Sequence, residues 1–141
     1  MGSLKWALIA LLLGGGVHVW HHHQRALVER DLASVADSNG FVPIATAPDS
    51  ARNVAIVLAA LNCPSAQARR ADALATQLTR LGIANQRANS YFASITSRDQ
   101  MPLVERTNAV LGGDIPIVII NGRAKANPTV EEVQSEYSTG N

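Results

Sequence analysis

The chain has 141 residues, 47% of them apolar and 16% charged, with a formal net charge of +1. That length suits one ordinary domain, and the sparse, unclustered charge excludes a binder that works by neutralising phosphates. One cysteine excludes an internal disulfide and a cysteine-rich zinc site, and 4% aromatic residues leave little for base stacking.

Leu4 to Trp20 reads LKWALIALLLGGGVHVW, with Lys5 as its charge and His18 as its other ionisable group. The stretch from Trp6 to Trp20, about fifteen residues, is slightly short of the roughly 17–25 of a spanning helix. It also has the length of a signal-peptide core. No small-residue cleavage site follows, since Trp20 leads into His21-His22-His23. Trp6 and Trp20 bracket the run as interfacial residues do. A helical pattern continues through Leu27, Val28, Leu32 and Val35. Residues 1–36 are therefore expected to be one retained transmembrane anchor with a juxtamembrane helix; the alternative is a cleaved signal. Lys5 before the run and Arg25 and Arg30 after it do not favour an inside N-terminus. A lone N-terminal apolar segment nevertheless reads as a signal-anchor, with the rest of the chain outside. The Ala- and Arg-rich, Lys-poor composition matches a bacterium of high genomic GC content. The expected place is the inner membrane, with the C-terminal domain in the periplasm. Adjacent histidines on a helix point in different directions. His21-His22-His23 thus reads as a polar collar, and no metal site is expected.

Asn39 to Arg52 carries Gly40, Pro43, Pro48 and several small polar residues. Residues 37–52 read as a linker, and the folded domain is expected over 53–141. Val54–Leu58 is a short apolar run, which predicts a buried, parallel strand. From Pro64 the pattern turns helical, with Ala71, Leu74, Ala75, Leu78 and Leu81 on one face. Pro64 suits a first helical turn and Gly82 a left-handed cap. Ile83–Phe92 predicts a weaker strand. Ser97 with Gln100 forms a possible capping box ahead of a helix carrying Leu103, Val104, Thr107, Val110 and Leu111. Ile117–Ile120 is the most apolar strand, and Asn121-Gly122 predicts a type I′ hairpin to Arg123–Ala126. Thr129 with Glu132 makes a second capping box and opens a last helix to about Tyr137. The order predicts an α/β domain: a βαβ unit, a β-hairpin and a C-terminal helix around a central mixed sheet.

Three features of residues 53–138 resemble the thioredoxin fold, and within it a glutaredoxin. Cys63-Pro64-Ser65-Ala66 lies at the junction of the first buried strand and first long helix, where that family places Cys-x-x-Cys. Ile115-Pro116 precedes the most apolar strand, where the family has a cis-proline facing the reactive sulfur. Ile117–Asn121-Gly122-Arg123 is similar to the strand and turn that follow. The resemblance implies Cys63 as the nucleophile and Pro116 as the cis-proline. It implies Pro64, Ser65 and the Ile115 backbone as substrate-binding. The departures are equally specific. Ala66 replaces the second cysteine, and Asn62 precedes Cys63 where the family has Lys nearby. Lys125-Ala126-Asn127-Pro128 replaces the Gly-Gly step. These changes point away from glutathione and iron–sulfur binding, so no cofactor is expected.

Cys63 at an N-cap-like position before Pro64 predicts a lowered thiol pKa, because the dipole and free amides favour the thiolate. Without a resolving cysteine, a mixed disulfide would need an external thiol for release. Ser65 has no base, since all four histidines lie in the anchor segment, which excludes a Ser–His–Asp hydrolase. Arg123 and Lys125 read as solvated charges. Asp72, Asp99, Glu105, Glu131 and Glu132 show no paired arrangement. The expected function is a non-catalytic, partner-binding envelope module. The alternative is a monothiol thiol–disulfide oxidoreductase. The membrane and an envelope protein or low-molecular-weight thiol are the expected partners, with no nucleic acid. A metal role would need a second ligand from a dimer or partner.

Overall fold

A computed structural model describes residues 20, 22–47 and 50–140. The expected spanning segment lies outside them except for Trp20. Among the described residues no helix is long and apolar enough to cross a membrane. The chain divides into two units, Met1–Ser34 and Val35–Asn141. The first holds nearly all of helix α1 (residues 22–35), on which Leu27 and Val28 are exposed.

The second unit is α/β, as the pattern of the sequence predicts. Its strands are β1 (Val42–Pro43), β2 (Ala55–Leu58), β3 (Asn85–Ala88), β4 (Ile117–Ile120) and β5 (Arg123–Ala126). They form one sheet in the order β1-β5-β4-β2-β3. Only β2 and β3 run parallel; β4 is antiparallel to β2 and to β5, and β1 is antiparallel to β5. The helices are α2 (Ala66–Arg80), α3 (Met101–Leu111) and α4 (Val130–Thr139).

Alternation along the strands sends side chains to both faces. Val57, Val118 and Ile120 join Ala71, Leu74 and Leu78 of α2 and Val133 of α4 in one core cluster. Ile117 and Ile119 are also buried and point the other way, so β4 is covered on both faces. Helix α3 packs over β1 and β5. Helix α2 ends as its sequence predicts. Gly82 takes a left-handed φ of 73°. Its amide donates to the Thr79 carbonyl at 3.0 Å, and the Ile83 amide to the Leu78 carbonyl at 2.9 Å, the two bonds of a Schellman cap. Asn121 and Gly122 both have positive φ, at 50° and 76°, as a type I′ turn requires. The Thr129–Glu132 capping box is present.

Four local features differ from the sequence expectation. Residues 37–45 are part of the folded unit instead of a linker. Phe41 is wholly buried, Val42, Ile44 and Ala45 are buried with it, and Val42 pairs with Ala124. Pro64 lies outside α2, because Ser65 is the N-cap. Leu81 is the C-cap and is exposed, so it does not extend the apolar face. Ser97 makes no capping bond to the backbone. Its hydroxyl turns to Asp99 and lowers that carboxyl, while Gln100 Oε1 accepts from the Thr96 amide at 2.8 Å.

Candidate functional site

Strand β2 ends at Leu58, and Ala59 still bonds across to the Ala88 carbonyl at 3.0 Å. The chain then turns through exposed Leu61 and Asn62. Asn62 has a φ of 55°, a left-handed conformation that Asn tolerates better than most residues. That turn delivers Cys63, which is half-buried, and exposed Pro64. Ser65 follows with extended backbone, and its hydroxyl accepts from the Ala68 amide at 3.1 Å. Ser and Thr favour this position because they satisfy an amide that the helix cannot.

The thiol of Cys63 is held below its ordinary value. The Ser65 hydroxyl is the larger cause and the Ser65 amide the next; slight burial opposes them. The direction matches the expectation, and the contacts show where it arises. Cys63 lies two residues before the N-cap. The groups that favour its thiolate are the cap's own hydroxyl and amide. A hydroxyl has one hydrogen and two lone pairs, so Ser65 can donate to the sulfur and accept from Ala68 together. Ala66, the first residue of α2, brings no second sulfur.

Ile115 and Pro116 reach the same end of the sheet by another route. Leu58 at the end of β2 registers with Ile117 at the start of β4. The Ile115–Pro116 peptide bond is cis, Pro116 is buried and Ile115 half-buried. Two neighbours on α2 tie this corner together. Arg69 Nη1 donates to the Pro64 carbonyl, and Arg70 Nη2 donates to the Ile115 carbonyl at 3.0 Å. The Pro116 carbonyl is also occupied, accepting from the Asn127 amide at 2.7 Å. The Arg70 bond thus ties the Ile115–Pro116 peptide to α2, about a turn beyond the Cys63-Pro64-Ser65 stretch that precedes the helix.

Two hollows flank the corner. One, of about 320 Å³, is lined by Leu58, Ala60, Tyr91, Leu111 and Ile115 among others. Tyr91 is fixed there: its hydroxyl donates to the Ala45 carbonyl at 3.0 Å and accepts from the Ala47 amide at 3.3 Å. The other, of about 260 Å³, lies beyond Pro116 and is lined by Arg70, Gln77, Asn127, Thr129 and Val130. Phe92, 80% exposed, and Leu61, 45% exposed, belong to the loops that leave this end of the sheet. No group of three or more His, Cys, Asp or Glu among the described residues is placed to hold a metal ion.

Sequence reasoning missed a second constellation. Arg123 and Lys125 are not solvated charges. Arg123 pairs with Asp37 at 3.0 Å and Glu136 at 3.4 Å, and Lys125 with Glu132 at 2.7 Å. Asp37 and Glu136 have no local spacing that links them; Asn39, which bonds Glu136, stands 97 positions away. The available signal was the run Asp37-Ser38-Asn39-Gly40, which favours an Asx turn.

Comparison with known proteins gives no relative: no family model, no curated protein and no solved structure matches the chain.

Proposed function

We propose that this chain is a membrane-anchored, thioredoxin-like module of glutaredoxin type that binds a partner without redox catalysis. The apolar N-terminal segment is its inner-membrane anchor, with the C-terminal domain on the periplasmic side. What supports the fold reading is the strand order. Parallel β3 and β2, then antiparallel β4 and β5, run across one sheet, with α2 after Cys63 and α4 after the hairpin. The observation that carries the non-catalytic reading is the Arg70 bond to the Ile115 carbonyl. It engages one of the two lone pairs of the backbone acceptor that the resemblance assigns to substrate, on a chain with no second cysteine. The partner surface is then the end of the sheet bearing Leu61 and Phe92, beside the hollow at Tyr91.

A second reading has its own observation. Cys63 is half-buried, and Ser65 favours its thiolate. In that reading the Cys63 thiolate attacks a disulfide, forming a mixed disulfide and releasing one thiolate. An external thiol then attacks the mixed disulfide and returns Cys63. Capture from the membrane fraction separates the two. The binding reading expects the same partner with the wild-type chain and with Cys63→Ser, before and after reduction. Loss of the partner in Cys63→Ser, or its release by reductant, overturns it in favour of the monothiol enzyme.

A further inference from the structure

The densest charged cluster lies beneath the strap formed by residues 37–45, away from Cys63. The strap begins with an Asx turn, in which Asp37 Oδ1 accepts from the amides of Asn39 at 2.8 Å and Phe41 at 3.0 Å. Gly40 has a φ of 79°, and a Cβ there would sit 2.8 Å from Lys125 Nζ. Glycine lets the turn rest on that lysine, whose Nζ donates to the Asn39 carbonyl at 2.7 Å. Arg123 of β5 donates from Nη2 to the Phe41 carbonyl at 2.8 Å. Glu136 of α4 is only 5% exposed, and Asn39 Nδ2 donates to its Oε2 at 3.3 Å.

Arg123 Nε lies 3.0 Å from Asp37 Oδ2 and 3.4 Å from Glu136 Oε1. Two carboxylate oxygens thus face one buried, charged nitrogen whose hydrogen bonds to neither of them. Two carboxylates sharing one site do not both ionise at their ordinary values. We propose that Asp37 and Glu136 share a proton beside Arg123, and that this proton makes the attachment of the strap pH-dependent.

The other charges nearby are accounted for. Asp37 comes from the strap, Arg123 from β5 and Glu136 from α4. Lys125 of β5 and Glu132 of α4 pair with each other at 2.7 Å. The charges that act on the two carboxyls are those of Arg123 and of the pair itself. Burial raises the Glu136 carboxyl, and the hydrogen bond it donates to Asp37 adds to the rise. Burial acts upward on Asp37 too. The bonds from Glu136, Phe41 and Asn39 and the charge of Arg123 outweigh it and hold Asp37 low.

The signs follow by linkage. Glu136, raised in the folded chain, stabilises fully below its ordinary value, and that contribution fades as pH rises through its raised value. Asp37, lowered, stabilises fully above its ordinary value, and that contribution fades as pH falls through its lowered value. Between those limits the pair holds a single proton and the strap is held best.

Hydrogen exchange on the full chain in detergent tests this. Protection at the Phe41, Ile44 and Ala45 amides is read against Val57 and Val118 in the core. The expected profile is a bell, falling roughly tenfold per pH unit along each limb, the slope of one linked proton. Glu136→Gln is expected to remove the alkaline limb and Asp37→Asn the acid limb. Carboxyl-carbon NMR of the wild-type chain needs no variant, and each of the two carbons is expected to titrate in two steps. Two independent single-step titrations, or a ratio of protections that stays flat with pH, overturn the proposal.

Discussion

Cys63 is shaped by a neighbour two residues on. The Ser65 hydroxyl caps α2 and also favours the thiolate. Ser65→Ala is therefore expected to move the midpoint of Cys63 alkylation upward in pH, towards the free-thiol value of about 8.5. Iodoacetamide labelling followed by mass spectrometry across pH reads the midpoint. The same variant removes the cap and is expected to cost about 1 kcal/mol of stability, so labelling is compared where the fold is intact by circular dichroism. Some of this was legible in the sequence. A Cys-Pro-Ser stretch between a strand pattern and a helix pattern already places the sulfur near a helix start. The Arg70 bond to the Ile115 carbonyl was not legible, because it joins residues 45 positions apart. Arg123 failed for the same reason, since Asp37 lies far along the chain, and so did the Lys125 bond to the Asn39 carbonyl, 86 positions away. A cation looks solvated when groups that bury it come from distant sequence.

At the scale of elements, the parts with strong local signals are the ones the sequence reveals. Helix α2, strand β4, the hairpin turn and the capping box of α4 each declare themselves within a few residues. Strand β3 is fainter, since Asn85–Ala88 lies at the edge of the sheet and carries little apolar content. Strand β1 is invisible. It is two residues long, it contains a proline, and its pairing partner is β5, while Ala45 just beyond it bonds to Thr107 of α3. A proline and two residues suffice at an edge, where one side needs no ladder bonds. The end of α2 offers a clean test. A Cβ at Gly82 would meet nothing within 4 Å, yet φ is +73°. Gly82→Ala is therefore a backbone effect alone, with an expected loss of about 1 kcal/mol in urea unfolding.

For the whole folded unit, the boundary matters more than any single contact. The unit begins at Val35, and the buried residues Phe41, Val42, Ile44 and Ala45 belong to it. A chain starting at Val35 is expected to unfold in one cooperative transition with a midpoint close to that of the full chain. A chain starting at Asn53 loses all four apolar residues, the Ala45 bond to Thr107, the Asp37 partner of Arg123 and the Asn39 partner of Glu136. It is expected to show a much lower midpoint or no transition by circular dichroism. Equal midpoints for the two chains would show that the strap is dispensable. The strap also imposes a timetable. Its Phe41 carbonyl waits for Arg123, 82 positions later, and its Asn39 side chain waits for Glu136, 97 positions later. Synthesis runs from the N-terminus, so the strap leaves the ribosome long before β5 and α4 exist. Such distant closures are slow to form. The first part of the domain to be made is thus the last to be seated, and the domain completes itself only after α4 has been made.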